Sequence, residues 1–348
     1  MVVKTTAFVS RASIRFLCLF LDADMNLLCT SHRFRFLLLS MLVICWGGRV
    51  ATAQVADTLT FTAQSEGYAL EGSLVKPRGF TEPMPAVVFL VGSGGSASYG
   101  TNYRKFVQWF LEEPLVPQGY VIVNFDKRGV GESEGVWYET NFEQRALDAR
   151  NVALHLQQYD FIDASRIYVV GHSQGGWIVQ IALAEYPEVF AGGISMAGAT
   201  FGVRQQIIND YTTEYLCERG WPLAKAQKRA TRKTNVALWY VGWAAQKGNM
   251  RQLQLIRDFT PASYLTEIDR PLLLLFGQND GLVDPVWCQK SLDELFPGGL
   301  PAQLQTHIAI GENHSFKTAP RCFEGAWSDI YYSEATRDYL VSWLVGQK

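Results

Sequence analysis

Neither sign of charge dominates this sequence. Thirty-one Lys and Arg stand against 33 Asp and Glu, a formal charge of −2, and only 18% of the residues are charged. A chain so close to neutral carries no overall basic field, so no nucleic-acid partner is expected. With 48% hydrophobic residues it is also too apolar for a disordered chain. Metal-ligand spacing is missing: there is no C-x-x-C and no H-E-x-x-H, so no metal site is expected. Cysteine is scarce, six in 348 residues, and three of the six precede residue 54. The remaining Cys217, Cys288 and Cys322 allow at most one disulfide, which excludes a disulfide-built scaffold. The apolar run Phe36–Trp46 has 11 residues, too few for a transmembrane helix, which needs roughly 18.

That run has a different character. Arg33 and Arg35 precede it and Ala51-Thr52-Ala53 follows it. A basic flank, a short apolar core and small residues at −3 and −1 are the parts of a secretory signal peptide. Cleavage is expected after Ala53, giving an exported protein, periplasmic or extracellular, with no transmembrane span in the mature chain. A retained N-terminal anchor is the alternative. Counted from Met25 the signal has 29 residues, an ordinary length, so Met25 is the expected start. Cys45 follows Ile44, too large for a lipoprotein cleavage site, and no lipid anchor is expected. Removing residues 1–53 takes away six basic and two acidic groups, leaving 295 residues of formal charge −6.

Beyond residue 54, buried strands alternate with helices. Residues 58–64 and 68–76 read as a hairpin around Gly67. Ala86–Val91, Tyr120–Phe125, Arg166–Gly171, Gly193–Ala197, Pro271–Phe276 and Leu304–Ile310 read as strands, several of them uninterrupted apolar runs of the kind buried on both faces. Helices are expected over 102–113, 142–158, 174–186, 286–296 and 334–345. This alternation predicts an α/β fold with a mostly parallel central sheet flanked by helices. Residues 199–268 break the pattern with helical periodicity and no buried strand. An insertion there overhangs the C-terminal edge of the sheet, where open α/β sheets bind ligands. It is expected to be a helical lid, or otherwise a packing subdomain. The core is then 54–198 with 269–348. Within 223–234, Lys225, Lys228, Arg229, Arg232 and Lys233 fall on one helical face. Such a face is either solvated or a contact for anionic substrates or lipid headgroups.

The chemistry centres on Gly171-His172-Ser173-Gln174-Gly175. The pattern G-x-S-x-G is weak alone, but here a strand leads into it and a helix leaves it. A sharp strand-to-helix turn strains the serine, raises its hydroxyl above the sheet and leaves no room for side chains two residues either side. A serine hydroxyl needs a base. Of four histidines after residue 54, His155 lies in a helix, His307 in a strand, and His172 beside the serine in a turn where neighbours diverge. His314 follows the last strand and is the expected base. Asp280, just past the strand ending at Phe276, is the expected orienting carboxylate. Asp284 is its rival, but Pro285 behind it makes Asp284 a helix cap. Oxyanion donors are expected at the N–H of Gln174 and the N–H of Ser93.

These residues resemble the α/β-hydrolase superfamily, over nearly all of the chain after residue 54. Ser173, Asp280 and His314 come in the chain order of that family. Asn124–Ser133 (NFDKRGVGES) is similar to its D-x-R-G-x-G-x-S stretch, and Gly92-Ser93-Gly94 stands where many members carry H-G-x-G, with Val91 in place of the histidine. The resemblance is strongest to serine-aminopeptidase-like and dienelactone-hydrolase-related esterases. It implies hydrolysis of an ester or thioester of a small-molecule acyl substrate through an acyl-serine intermediate, with no cofactor. Asp126 and Arg128 read as structural turn residues. A peptidase using the same triad is the alternative, although the 31 residues 54–84 leave no room for a peptide-filtering β-propeller ahead of the first buried strand. A non-catalytic binding module on the same fold is a third.

Overall fold

The computed structural model of the chain describes residues 56–244 and 247–347; the expected signal peptide lies outside them. β1 (Ala56–Ser65) and β2 (Tyr68–Pro77) pair antiparallel around Glu66 and Gly67, both at positive φ (49° and 84°). This is the two-residue turn whose twist matches that of the flanking strands. Six further strands follow: β3 (Met84–Leu90), β4 (Val121–Phe125), β5 (Ile162–His172), β6 (Gly192–Met196), β7 (Leu272–Gly277) and β8 (Leu304–Ala309). The eight form one sheet in the order β1-β2-β4-β3-β5-β6-β7-β8. β2 meets β4 antiparallel, and every pair from β4 to β8 is parallel.

β3 shows why its sequence reads as an unbroken apolar run. All seven residues are buried, and alternate side chains enter opposite cores. Ala86, Val88 and Leu90 pack on one face, Val87 and Phe89 on the other. One face is covered by α1 (Phe142–Leu156) and α2 (Gln174–Glu185). α1 starts with a reciprocal cap: Asn141 accepts from Gln144 N–H, and the Gln144 side chain accepts from Asn141 N–H. The other face carries residues 99–118, expected as a helix over 102–113. They form an irregular helical segment that stops at Gly119, φ 88°. Pro114 and Pro117 lack the N–H a regular ladder needs. Arg128 is structural, as expected. Buried with Asp148, it bonds that carboxylate at 2.6 Å and Glu66 at 2.9 Å, tying the first hairpin to α1.

The stretch after β6 holds helices and no strand among its described residues: α3 (Val203–Cys217), α4 (Leu223–Ala244), α5 (Gly248–Ile256) and α6 (Ala262–Glu267). Its ends meet, because Val203 N–H bonds Phe259 O at 3.1 Å. α3 and α4 pack through Ile208, Tyr215, Ala226 and Ala230. Cys217, the last residue of α3, is disulfide-bonded to Cys322 in the loop after β8, and Cys288 is a buried free thiol. Core and insertion belong to one compact unit. α7 (Pro285–Leu295) and α8 (Glu334–Gly346) complete the fold. No described helix is long and apolar enough to cross a membrane.

Candidate active site

β5 passes into α2 through Gly171–Gly175. Ser173 sits at φ 58°, ψ −120°, a region that costs a non-glycine residue of order 1–3 kcal/mol. A Cβ on Gly171 would lie 2.2 Å from Gly175 O, and one on Gly175 only 2.1 Å from Leu90 O. Main chain fills both places, so both positions require glycine. The Ser173 side chain does not cap α2, which removes the ordinary reason for a serine at a helix start. Ser173 stays partly exposed at the C-terminal edge of the sheet.

His314 and Asp280 arrive at the same edge from the loops after β8 and β7. His314 Nδ1 bonds Asp280 Oδ2 at 2.7 Å. Asp280 is fully buried, and its other oxygen accepts from the N–H groups of Leu282 (2.8 Å) and Val283 (2.9 Å). Those bonds fix the carboxylate, and the carboxylate fixes the ring, leaving Nε2 as the free nitrogen. Burial opposes charge on His314, but the charge and hydrogen bond of Asp280, with Asp210 nearby, hold its pKa above the ordinary histidine value. Asp284 instead caps α7 through Val286 N–H (2.9 Å) and pairs with Arg321 (2.7 Å). Asp284 is thus the helix cap that Pro285 behind it predicts. Among the described residues no hydrogen bond joins Ser173 to His314, and such contacts commonly tighten only around substrate. His155 stacks on Phe61 (5.5 Å) and His307 on Tyr339 (3.9 Å) as packing residues.

His172 departs from its expected divergence. Its ring turns toward the base loop, 4.9 Å from the His314 ring between centroids. Nε2–H donates to His314 O at 2.8 Å, and Nδ1 accepts from Tyr103 O–H at 2.9 Å. Burial, then the neighbouring His314, push its pKa down to about 3, so the ring stays neutral and keeps one donor and one acceptor. Tyr103 O in turn accepts from Gly92 N–H at 3.0 Å. A Cβ on Gly92 would sit 2.4 Å from that oxygen. One hydrogen-bonded chain thus links the Gly92 loop, the elbow and the base loop.

The loop with the expected oxyanion donor is held from below by two buried cations. Lys127 Nζ donates to Gly92 O at 2.7 Å; Arg145 donates to Val91 O at 2.6 Å and to Gln174 Oε1 at 3.1 Å. Burial, reinforced by Arg145, depresses the Lys127 pKa well below its usual value, and burial lowers that of Arg145 to about 10. The N–H groups of Ser93 and Gln174 donate to no acceptor among the described residues. Both residues line a pocket of about 370 Å³ whose far wall is α3 and α5. There Asp210 is reachable by solvent, yet its surroundings, and then Glu214, keep its carboxyl above the usual range. Gln252 is buried in the same wall with its amide nitrogen unpartnered. Tyr103, Lys127, Arg145, Asp210 and Gln252 have no signature in the sequence; the groups that Tyr103, Lys127 and Arg145 bond lie far away along the chain.

Comparison with known proteins agrees with this architecture. The model of the prolyl oligopeptidase family matches residues 107–237. Dipeptidyl peptidase 8 of Mus musculus is 31% identical over 158 residues, 43% of this chain and 17% of that protein. The chain therefore spans about a sixth of its length. A 2-hydroxy-6-oxononadienedioate/2-hydroxy-6-oxononatrienedioate hydrolase of Paraburkholderia xenovorans is 34% identical over 120 residues, 34% of this chain and 38% of that one. The structure of Est1E from Butyrivibrio proteoclasticus with ferulic acid superposes with a TM-score of 0.55 at 16% identity, over 82% of this chain and 98% of that one. The chain shares the α/β-hydrolase fold of such structures, and the curated relatives it resembles over part of its length are by name a peptidase and a hydrolase.

Proposed function

We propose that the protein is an exported serine hydrolase that cleaves carboxylic esters or thioesters through an acyl-serine intermediate. The observation that carries this reading is the strained Ser173 at one sheet edge with a buried, doubly hydrogen-bonded Asp280 holding His314. Ser173 Oγ attacks the substrate carbonyl carbon while His314 Nε2 takes its proton. The carbonyl oxygen, now negative, is received by the N–H groups of Ser93 and Gln174. The leaving group departs with the proton from His314. Water, deprotonated by the same nitrogen, then attacks the acyl carbon, and Ser173 recovers its proton. The helical insertion acts as a lid, since its α3 and α5 form the far wall of the substrate pocket. Export is supported by the signal-like N-terminus and by the Cys217–Cys322 disulfide, a bond that persists in oxidising compartments.

A second reading, peptide hydrolysis by the same triad, is favoured by the match to the prolyl oligopeptidase family and to dipeptidyl peptidase 8. A fluorophosphonate probe should label wild-type protein and not Ser173→Ala. Acyl-nitrophenyl esters, thioesters and aminoacyl-nitroanilides then separate the two readings. Turnover confined to the nitroanilides would replace the first by the second, and absence of labelling would remove both.

A further inference from the structure

Helix α4 presents one long exposed stripe that the other described residues leave uncovered. Ala226, Ala230, Thr234 and Val241 face α3 and the core, and are buried. The opposite side repeats at helical spacing: Lys225, Lys228, Arg229 and Arg232, then Val236, Trp239, Tyr240 and Trp243. From residue 225 to 243 it runs about 27 Å at 1.5 Å per residue. Its first half is cationic. None of those four cations forms an ion pair among the described residues, and α4 contains no Asp or Glu. Lys233, expected on the same face, turns instead to Glu214 at 3.2 Å and over the Tyr211 ring. The second half is apolar and open to solvent: Val236 is 67% exposed, Trp239 68%, Tyr240 55% and Trp243 82%. A monomer rarely leaves such a contiguous patch bare without a binding role.

We propose that α4 docks on the surface of an anionic lipid bilayer. The chemistry of the two halves points there. Lys and Arg pair with anionic headgroups, while Trp and Tyr are the side chains that settle at the boundary between headgroups and acyl chains. At the cationic end, Arg219, Trp221, Lys225, Lys228, Arg229 and Arg232 surround a concavity of about 440 Å³, a seat for a headgroup phosphate. On a chain of formal charge −2, this local positive field also orients the approach. No residue of the stripe lines the pocket at Ser93 and Gln174, so the docking stands whether or not the proposed hydrolysis does.

The test is co-sedimentation with vesicles of phosphatidylglycerol and phosphatidylcholine in equal parts, and with phosphatidylcholine alone, followed also by tryptophan fluorescence. Wild-type protein should bind the anionic vesicles at low salt with a blue shift, and detach near 1 M salt, where the Debye length falls to about 3 Å. Lys228→Glu with Arg232→Glu, and separately Trp239→Ser with Trp243→Ser, should each weaken binding at least about tenfold, with melting temperature and turnover of a soluble ester unchanged. Should a double variant fail to fold, Trp243→Ser alone carries the test. Absence of binding to anionic vesicles overturns the proposal, as does full binding by both variants. So does a wild-type dimer that ignores vesicles and dissociates on Trp239→Ser with Trp243→Ser, which would make the stripe a contact between two copies.

Discussion

The imidazole of His172 holds the main-chain oxygen of His314 at 2.8 Å. The residue next to the elbow serine therefore positions the loop of the base, while Tyr103 extends the same chain to Gly92. Tyr103→Phe leaves Gly92 N–H and His172 Nδ1 buried without a partner, at a cost of about 1–3 kcal/mol. Melting temperature should fall accordingly, and kcat should drop about tenfold or more as the base and oxyanion loops lose their link. Wild-type kcat in Tyr103→Phe would show that the two loops are held independently.

Asp280 and Asp284 should separate cleanly. In Asp280→Asn the amide oxygen can still accept from Leu282 and Val283, but the amide nitrogen faces His314 Nδ1 with a donor and forces the wrong tautomer. A loss of about 10⁴ in kcat is expected, with a nearly unchanged melting temperature. Asp284→Ala loses the cap of α7 and the Arg321 pair, costing about 0.5–2 kcal/mol of stability with turnover kept. Inactive Asp284→Ala beside active Asp280→Asn would reverse the triad assignment.

The rate should carry the mark of Asp210. The base acts when neutral, so a raised His314 pKa places the acid limb of kcat/KM above the pH of an ordinary histidine. Asp210→Asn withdraws one of the negative charges that favour the imidazolium, and the limb should move to lower pH. In the folding equilibrium the sign is the complementary one: stability gained by the raised pKa is full below the unfolded histidine pKa and is lost as pH rises through the folded value. A kcat/KM profile identical in wild-type and Asp210→Asn protein would remove Asp210 from the electrostatics of the base.

Arg128→Met should be among the most destabilising single changes in the core. It strands Asp148, buried with Arg128 and Ser65 as its partners, and removing one member of such a pair costs about 3–5 kcal/mol. Urea unfolding measures it; a change under about 1 kcal/mol would mean that Asp148 finds another partner.

Much of the site could be read along the chain because its parts are local. The elbow is five consecutive residues between a strand and a helix, and Asp280 and His314 each follow a strand recognisable by its apolar run. Asp284 announced its cap through Pro285. The supporting residues are a different matter. Arg145 reaches Val91 across 54 positions and His172 reaches His314 across 142, and no period or motif marks a contact that only the folded sheet creates. Residues 99–118 were blurred for another reason: their apolar spacing is helical, while Pro114 and Pro117 interrupt the ladder that spacing suggests.

The Cys217–Cys322 bond ends the helix that carries Asp210 and begins eight residues beyond His314. One covalent link therefore ties a wall of the pocket to the segment of chain that carries His314. Protein made in a reducing cytosol would keep its sheet and its elbow while that wall hung on weaker contacts. The compartment of synthesis then becomes a variable of stability as much as of yield: a link between residues 105 positions apart restrains the unfolded chain, and the reduced polypeptide lacks that restraint.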